Sequence, residues 1–277
     1  MSRTGLMISA AILLIINTSG CSKQPHAHAK KIDYNTIELS NSFVSVSESD
    51  TSIFLLKISF QNPTNQENDS IIQKLRMTML KDLISNLPDA CNAPEIAMNK
   101  VLLEKANVYS GKKTNKQESY KDSSRYAKKH DIAIHTVTFC DKNLVSYVIK
   151  NDKMIDEAHP LTKIQGYSLD LQKFEKIQEE DLFDDNSLPI VHDLILKKLE
   201  ANNHVNSLEE LEQIGFFDLS EIALFKNFYI NEKGVTYVYN PYEIGSYALG
   251  TMEVLLTFED LKNLIMPDSP LTQLLQK

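Results

Sequence analysis

Residues 6–16, LMISAAILLII, are apolar except for Ser9 and follow a single cation, Arg3. As a helix they would extend about 16 Å, roughly half the hydrocarbon thickness of a bilayer, which is too short to span it. A short apolar run behind a basic residue and ahead of small residues reads as the h-region of an export signal. This feature sets the compartment and places residues 1–20 outside the fold. No later apolar run approaches the ~18 residues a spanning helix needs, so the exported part is expected to be aqueous. Lys and Arg total 29 against 37 Asp and Glu, a formal charge of −8. Loss of residues 1–20 removes only Arg3 from that balance and leaves −9. An acidic chain without a dense basic block does not suit nucleic acid, whose phosphates demand clustered cations. With 42% hydrophobic and 24% charged residues, collagen-like, coiled-coil and wholly disordered architectures are excluded.

After the apolar run come Asn17, Thr18, Ser19, Gly20 and Cys21. Small residues ending in cysteine at this distance resemble the bacterial lipobox, although Thr18 stands where Leu is usual. The resemblance implies that Cys21 is lipidated and becomes the mature N-terminus, with a membrane held through acyl chains that each add about 0.8 kcal/mol per buried CH₂. The alternative is an ordinary cleaved signal with an incidental cysteine. Residues 21–39, polar through SKQPHAHAKKIDYN, read as a flexible linker. His26 and His28 have no Cys or carboxylate close enough in sequence to complete a metal site. Of the remaining cysteines, Cys91 and Cys140 are either bridged, as an exported compartment permits, or both buried as thiols.

Residues 43–46 form a short strand, and Phe54, Leu56, Ile58 and Phe60 alternate with Leu55, Lys57 and Ser59 as a half-buried one. Ile72, Leu75, Met79, Leu83 and Leu87 recur at helical spacing up to Pro88, and a weaker helix covers 95–106. The Lys-rich stretch 112–129 is a solvated segment or, alternatively, a basic patch for an anionic surface. Strands at 132–139 and 144–149 flank the turn residues Asp141-Lys142-Asn143. Another strand is expected at 164–171. A helix with Pro189 in its first turn should bury Ile190, Leu194, Ile195 and Leu199, and a shorter one covers 207–214. The tail alternates strands at 225–230, 235–239 and 252–257 with a helix at 258–265. Short connections between strands and helices in separate blocks predict an α+β fold, a mostly antiparallel sheet packed with helices on one face.

Residues 227–250 read NFYINEKGVTYVYNPYEIGSYALG. Asn227-Phe228, a polar turn with Gly234, an alternating strand, Pro241-Tyr242-Glu243-Ile244, Tyr247-Ala248 and Gly250 together resemble the C-terminal signature of the RsiV-like extracytoplasmic domain. Glu157-Ala158-His159-Pro160 is similar to the Gly-Gly-Ala-His-Pro element of that family, with acids in place of the glycines. Ser168 to Leu171 followed by Asp181-Leu182-Phe183 resembles a further stretch of it. The resemblance divides the chain into a PdaC-like N-terminal half at 40–160 and an RsiV-like domain at 161–277. It implies a non-catalytic module: in this family an outer domain senses lysozyme by direct contact, or stands beside peptidoglycan deacetylase domains. The ligand it implies is a lysozyme-like protein or a cell-wall glycan, with no cofactor and no metal. Only the outer module is expected here, since no spanning helix is predicted. The bacterial cell envelope is then the expected location. The residues it marks as binding or structural are His159, Asn227, Phe228, Pro241, Tyr242, Glu243, Tyr247 and Gly250.

Physically, the 227–250 segment reads as architecture. Gly234 is expected at φ > 0 between two strands. Asn240-Pro241 should stop a strand. Gly245 and Gly250 should permit tight turning, and Tyr242 and Tyr247 should bury their rings. Enzyme signals are sparse: His130 and His135 lack helical metal-ligand spacing, and no Gly-x-Ser-x-Gly elbow occurs. His159 beside Glu157 and Asp156 leaves an envelope hydrolase or deacetylase as the alternative, and a purely structural lipoprotein as another. The acids Glu179-Glu180-Asp181 and Asp184-Asp185 read as a solvated loop edge, since EF-hand spacing is missing.

Overall fold

The computed structural model describes residues 12–16, 32–46, 51–64, 70–84, 87, 93–110, 127–155 and 159–275. Cys21, His26, His28, Cys91, residues 111–126, Asp156, Glu157 and Ala158 lie outside them. Among the described residues no helix is long and apolar enough to cross a membrane. The chain is α+β and divides into two compact units that interleave along the sequence. Ile32–His135 and Asn151–Leu161 make up most of one unit, and Thr136–Lys150 with Thr162–Lys277 most of the other.

In the first unit, β1 (Ile12–Ile16), from the run expected to lie outside the fold, β2 (Tyr34–Val46), β3 (Thr51–Pro63) and β4 (Ala127–Cys140) lie in that order. β2 starts well before the expected residue 43, so residues 34–39 are strand and not linker. Ile37, Leu39 and Asn41 are its buried, alternating face, a period of two diluted in sequence by Ser, Asn and Glu. The pairs β1/β2 and β2/β3 are antiparallel, whereas β3 and β4 are parallel. A parallel pair needs a long crossover. Helices α1 (Ser70–Leu83) and α2 (Pro94–Tyr109) lie in the stretch that supplies it. α1 buries Ile72, Leu75, Met79 and Leu80 and ends before Leu87; α2 starts on a proline and buries Ala97, Met98, Leu102 and Ala106. The carboxylate of Asp131 on β4 is buried but satisfied, by Lys105 Nζ at 2.8 Å and the Tyr109 hydroxyl at 2.9 Å.

In the second unit, β4, β5 (Leu144–Met154), β6 (Leu161–Asp170) and β7 (Glu175–Lys176) follow in order, β4 and β5 contributing residues to both units. The turn expected at 141–143 is closed by Asp141 Oδ1, which accepts from Asn143 N and Leu144 N at 2.8 and 2.9 Å. A second, antiparallel sheet has the order β10 (Met252–Thr257), β9 (Gly234–Tyr239), β8 (Phe228–Asn231). Thr138 Oγ1 donates to Ile230 O at 2.8 Å, and Ile230 N donates to Ser146 Oγ at 2.8 Å, so hydroxyls tie β8 to strands of the first sheet. Every residue of β9 is buried.

Helix α3 (Ser187–Asn202) covers this sheet through Val191, Ile195 and Leu199. Ile190, expected in that stripe, is instead 49% exposed; apolar pairs at 190/191 and 194/195 left two stripes open, and the i, i+4, i+8 one is used. A short helix α4 (Leu208–Gln213) is capped by Ser207, whose hydroxyl accepts from Glu210 N. The final helix α5 (Phe258–Leu261) is one turn, shorter than the predicted 258–265. Its Thr257–Asp260 capping box starts it, and the bridge between Ile265 and Phe183 stops it. Residues 219–224 form a 3-10 turn, and β8 starts at Phe228, later than the expected 225.

Gly234 corrects the sequence expectation, since its φ is not among the positive values. The reason for glycine is close approach: a Cβ would lie 2.0 Å from Leu256 O and 2.8 Å from Thr257 Cα. Both are backbone of the paired strand and cannot step aside. Gly234→Ala should therefore destabilise the chain by about 3 kcal/mol in urea unfolding, at the upper end for overpacking; a loss under about 1 kcal/mol would refute the close packing.

Candidate functional site

The segment singled out by its sequence comprises β8, β9 and the loop that runs from β9 toward β10, and two amide side chains hold it to β6. Asn227 Oδ1 accepts from Gly166 N at 2.8 Å and Gln165 Nε2 at 3.0 Å, while its Nδ2 donates to Ile164 O at 2.8 Å. Asn240 Oδ1 accepts from Ile164 N at 2.7 Å, and its Nδ2 donates to Ile164 O at 3.1 Å. Two side chains thus supply to β6 the hydrogen bonds that a neighbouring strand would otherwise make. Contact is so close at this point that a Cβ on Gly166 would sit 2.2 Å from Phe228 O.

The loop then folds on itself. Asn240 N donates to Glu243 Oε2 at 2.7 Å, Glu243 N to Asn240 O at 3.1 Å and Tyr242 N to Gly245 O at 3.0 Å. From outside, Phe217 N donates to Ile244 O at 3.1 Å and Ser246 N to Gly215 O at 2.9 Å. Pro241 and Ile244 point inward and are buried, and β9 stops at Tyr239 as Asn240-Pro241 requires. Gly250 leaves the loop at φ 69°, the left-handed turn expected of it.

Tyr242 departs from expectation. Its ring is not buried but 65% exposed, on a backbone at φ 74°. A bulky residue with that φ is an outlier that costs on the order of 1–3 kcal/mol and persists only where surrounding bonds over-determine it. Its ring stacks on Tyr247, with centroids 6.0 Å apart and planes at 29°. Phe228, by contrast, is buried against Tyr237 and is architectural. The loop therefore presents a fixed, amphipathic aromatic surface, a chemistry suited to apolar protein contacts or to the faces of sugar rings.

Beneath the loop, the residues leading into it form a polar cluster. Glu179 opens a 3-10 turn at Glu179–Asp181 and is 1% exposed, whereas the sequence had placed it on a solvated edge. Its Oε1 accepts from the Tyr237 hydroxyl at 2.7 Å and lies 3.4 Å from His192 Nε2; Oε2 and the Tyr239 hydroxyl are buried with no hydrogen-bond partner. Burial, then the charge of Glu179, holds both phenols well above their usual range. Glu180 points away and pairs with Lys226, which lowers its pKa, and Asp184 caps α3 at Ser187 N, 2.7 Å away. Nothing in sequence separates Glu179 from Glu180, because both are acids on one short turn.

Other candidates do not join this site. His159 is exposed just ahead of β6. His130 lies 3.3 Å from Asp152, and His135 is buried against Phe60. Cys140 Sγ donates to the neighbouring Asp141 O at 3.8 Å. Among the described residues no group of His, Cys, Asp and Glu has the spacing to hold a metal ion.

Residues 180–259 match the family model DUF3298, described as a protein of unknown function. The DUF3298 segment runs from the acidic turn through α3 and the second sheet to the first residues of α5. Over 90% of this chain the fold is similar to the crystal structure of a DUF3298 family member from Bacteroides fragilis, with TM-score 0.66, 19% identity and all of that chain covered. A DUF3298 family protein from Pseudomonas aeruginosa is similar over 84% of this chain and 94% of its own, with TM-score 0.51 and 13% identity. These likenesses speak to the fold. No curated protein matches the chain.

The amide clamp gives a direct expectation. Asn240→Ala takes the acceptor from Ile164 N–H and the weaker of two donors from Ile164 O, which keeps Asn227 Nδ2. It should cost about 2–3 kcal/mol of stability, measured by urea unfolding, whereas a change below about 0.5 kcal/mol would mean the clamp is ornamental.

Proposed function

We propose that this chain is a lipid-anchored protein of the bacterial cell envelope whose DUF3298 part is a non-catalytic binding or sensing module. Its ligand is a lysozyme-type protein or a peptidoglycan glycan, as the RsiV-like and PdaC-like resemblance implies. The observation that supports this most is Tyr242, an exposed ring on strained backbone that the loop holds rigidly outward. Strain retained at a surface position suits a recognition element, because a preorganised ring loses little freedom on binding. The formal charge of −9 after loss of residues 1–20 would steer a basic protein toward this body. Cys21 supplies the anchor in this reading, and the polar segment after it spaces the body from the lipid.

Calorimetry with a panel of lysozymes and muropeptides tests the reading. Binding to at least one of them is expected, weakened at least tenfold in Tyr242→Ala with the unfolding midpoint unchanged. No binding across the panel, or equal binding by the variant, would overturn the functional half. Labelled palmitate should enter the chain and be lost in Cys21→Ser; incorporation unaltered by that change would remove the anchor. Turnover of wall polymer that disappears in His159→Ala would favour the hydrolase or deacetylase instead.

A further inference from the structure

β2 is a long strand that lacks the usual protection of an edge. Its pairing with β3 runs unbroken over 13 residues, from Tyr34 opposite Pro63 to Val46 opposite Thr51. Among the described residues, the strand on its other side is β1, which pairs with Thr36–Ser40 and no further. Native edges are blunted by short length, bulges, proline or lysine. The strand YNTIELSNSFVSV contains no proline, glycine or lysine, and its register with β3 has no bulge. Its one charge, Glu38, is engaged by Lys57 at 2.8 Å. An edge built in this way can accept a further strand through its main chain.

Residues 12–16 show how such a strand sits. They lie antiparallel to β2, with Ile15 opposite Ile37, Leu13 opposite Leu39 and Ile12 opposite Ser40. Ile37 and Leu39 are 1% and 5% exposed, so positions opposite them on that face call for apolar residues. Asn41 continues the same face two residues on. It is 6% exposed, and among the described residues its Oδ1 is buried with no hydrogen-bond partner. A buried acceptor left in that state costs about 1–3 kcal/mol. Three successive positions on one face of the edge thus ask for two apolar residues and one hydrogen-bond donor.

We propose that the outer edge of β2 is an acceptor site for an extended segment of another polypeptide, which adds antiparallel and reads donor–x–apolar–x–apolar opposite Asn41, Leu39 and Ile37. The donor is a Ser, Thr, Asn or Gln side chain. Residues 12–16 hold the apolar part of the site in the full chain, and loss of residues 1–20 at an export signal would vacate it. A second copy of this chain suits the edge less well. Laid antiparallel on itself about residues 36–40, β2 would set Glu38 opposite Glu38, and like charges directly opposite repel. The site lies within the first unit, and its occupant is independent of anything bound at Tyr242.

The test uses the full chain and its variant L13D/I15D, in which charges opposite Leu39 and Ile37 expel β1. The probe is a fluorescent peptide of residues 9–18 that carries Ala11→Thr and two added terminal lysines. Anisotropy should show L13D/I15D binding it at least tenfold more tightly than the unaltered chain. N-methylation of the peptide at positions 12, 14 and 16, or at 13 and 15, separates a ladder from apolar adhesion. Amides of alternate residues point to opposite edges of a strand, so one methylated peptide should lose at least tenfold and the other bind as before. Restoring Ala11 should weaken binding about fivefold, the net effect of one hydrogen bond, and N41V should abolish that difference. No binding to L13D/I15D, equal loss with both methylated peptides, or a dimer of L13D/I15D that excludes the peptide overturns the acceptor site. The same affinity with and without Ala11→Thr overturns the assignment at Asn41. Amide exchange gives a reading that needs no peptide: L13D/I15D should exchange faster at alternate residues of 36–40 and unchanged at those between. Identical exchange in the two chains refutes the seating of β1.

Discussion

The backbone of Ile164–Gly166 receives its hydrogen bonds from two asparagine side chains, and the second unit is arranged around that substitution of amide for strand. Asn227 stands just before β8 and Asn240 just after β9. Both converge on Ile164, with Asn227 also reaching Gly166. A strand in place of these side chains would carry the ladder onward, whereas two amides satisfy the same groups and end it. They also fix where β9 must stop, since Asn240 cannot hold Ile164 and continue as strand. Pro241 then has no ladder position to spoil, and the chain is free to turn at the place where its side chains are clamped.

That arrangement explains most of the 227–250 segment without reference to a ligand. Phe228 and Ile244 are core, Gly166 and Gly234 permit backbone contact, Glu243 closes the turn on Asn240, and Gly250 supplies a left-handed exit. Tyr242 is the residue that architecture leaves over. The turn requires φ > 0 at its position, which glycine would meet at no steric cost, and no hydrogen bond of its backbone needs the ring. A fold indifferent to the side chain would be better served by glycine. The tyrosine sits there with its ring outward and stacked, and this is why the loop reads as a presented surface and not as a plain connection.

Legibility in the sequence followed the strength of each local signal. The strand at 54–60 is legible because four large apolar residues recur at a period of two, broken only by Leu55 on the other face, and α1 because its stripe is wide. β2 was seen only at its end, since Ser, Asn and Glu in positions 35–42 mask the buried face of Ile37 and Leu39. The parallel pairing of β3 and β4 was not read, although the two helices between them are what such a pair needs. For the site, the strand stop at Asn240-Pro241 and the turn at Gly250 follow from backbone chemistry, whereas the clamp of Asn227 and Asn240 on Ile164 does not. The exposure of Tyr242 and the burial of Glu179 did not, because both depend on which side a short turn faces. Composition and periodicity carry no information on that, and tertiary packing decides it.

Under the proposed reading, charge and loop would divide between them two tasks that are often merged. The acidic surface acts at distances near the Debye length and governs how often a basic partner arrives. The ring of Tyr242 would act only at contact and govern how long such a partner stays. Salt therefore weakens the first and leaves the second almost untouched, while truncating the ring does the reverse. The distinction also separates the two ligand classes under the proposed reading. An uncharged glycan gains nothing from the long-range field and would depend on the aromatic pair alone, whereas a cationic protein draws on both, so the ionic-strength dependence of the association rate distinguishes them on physical grounds.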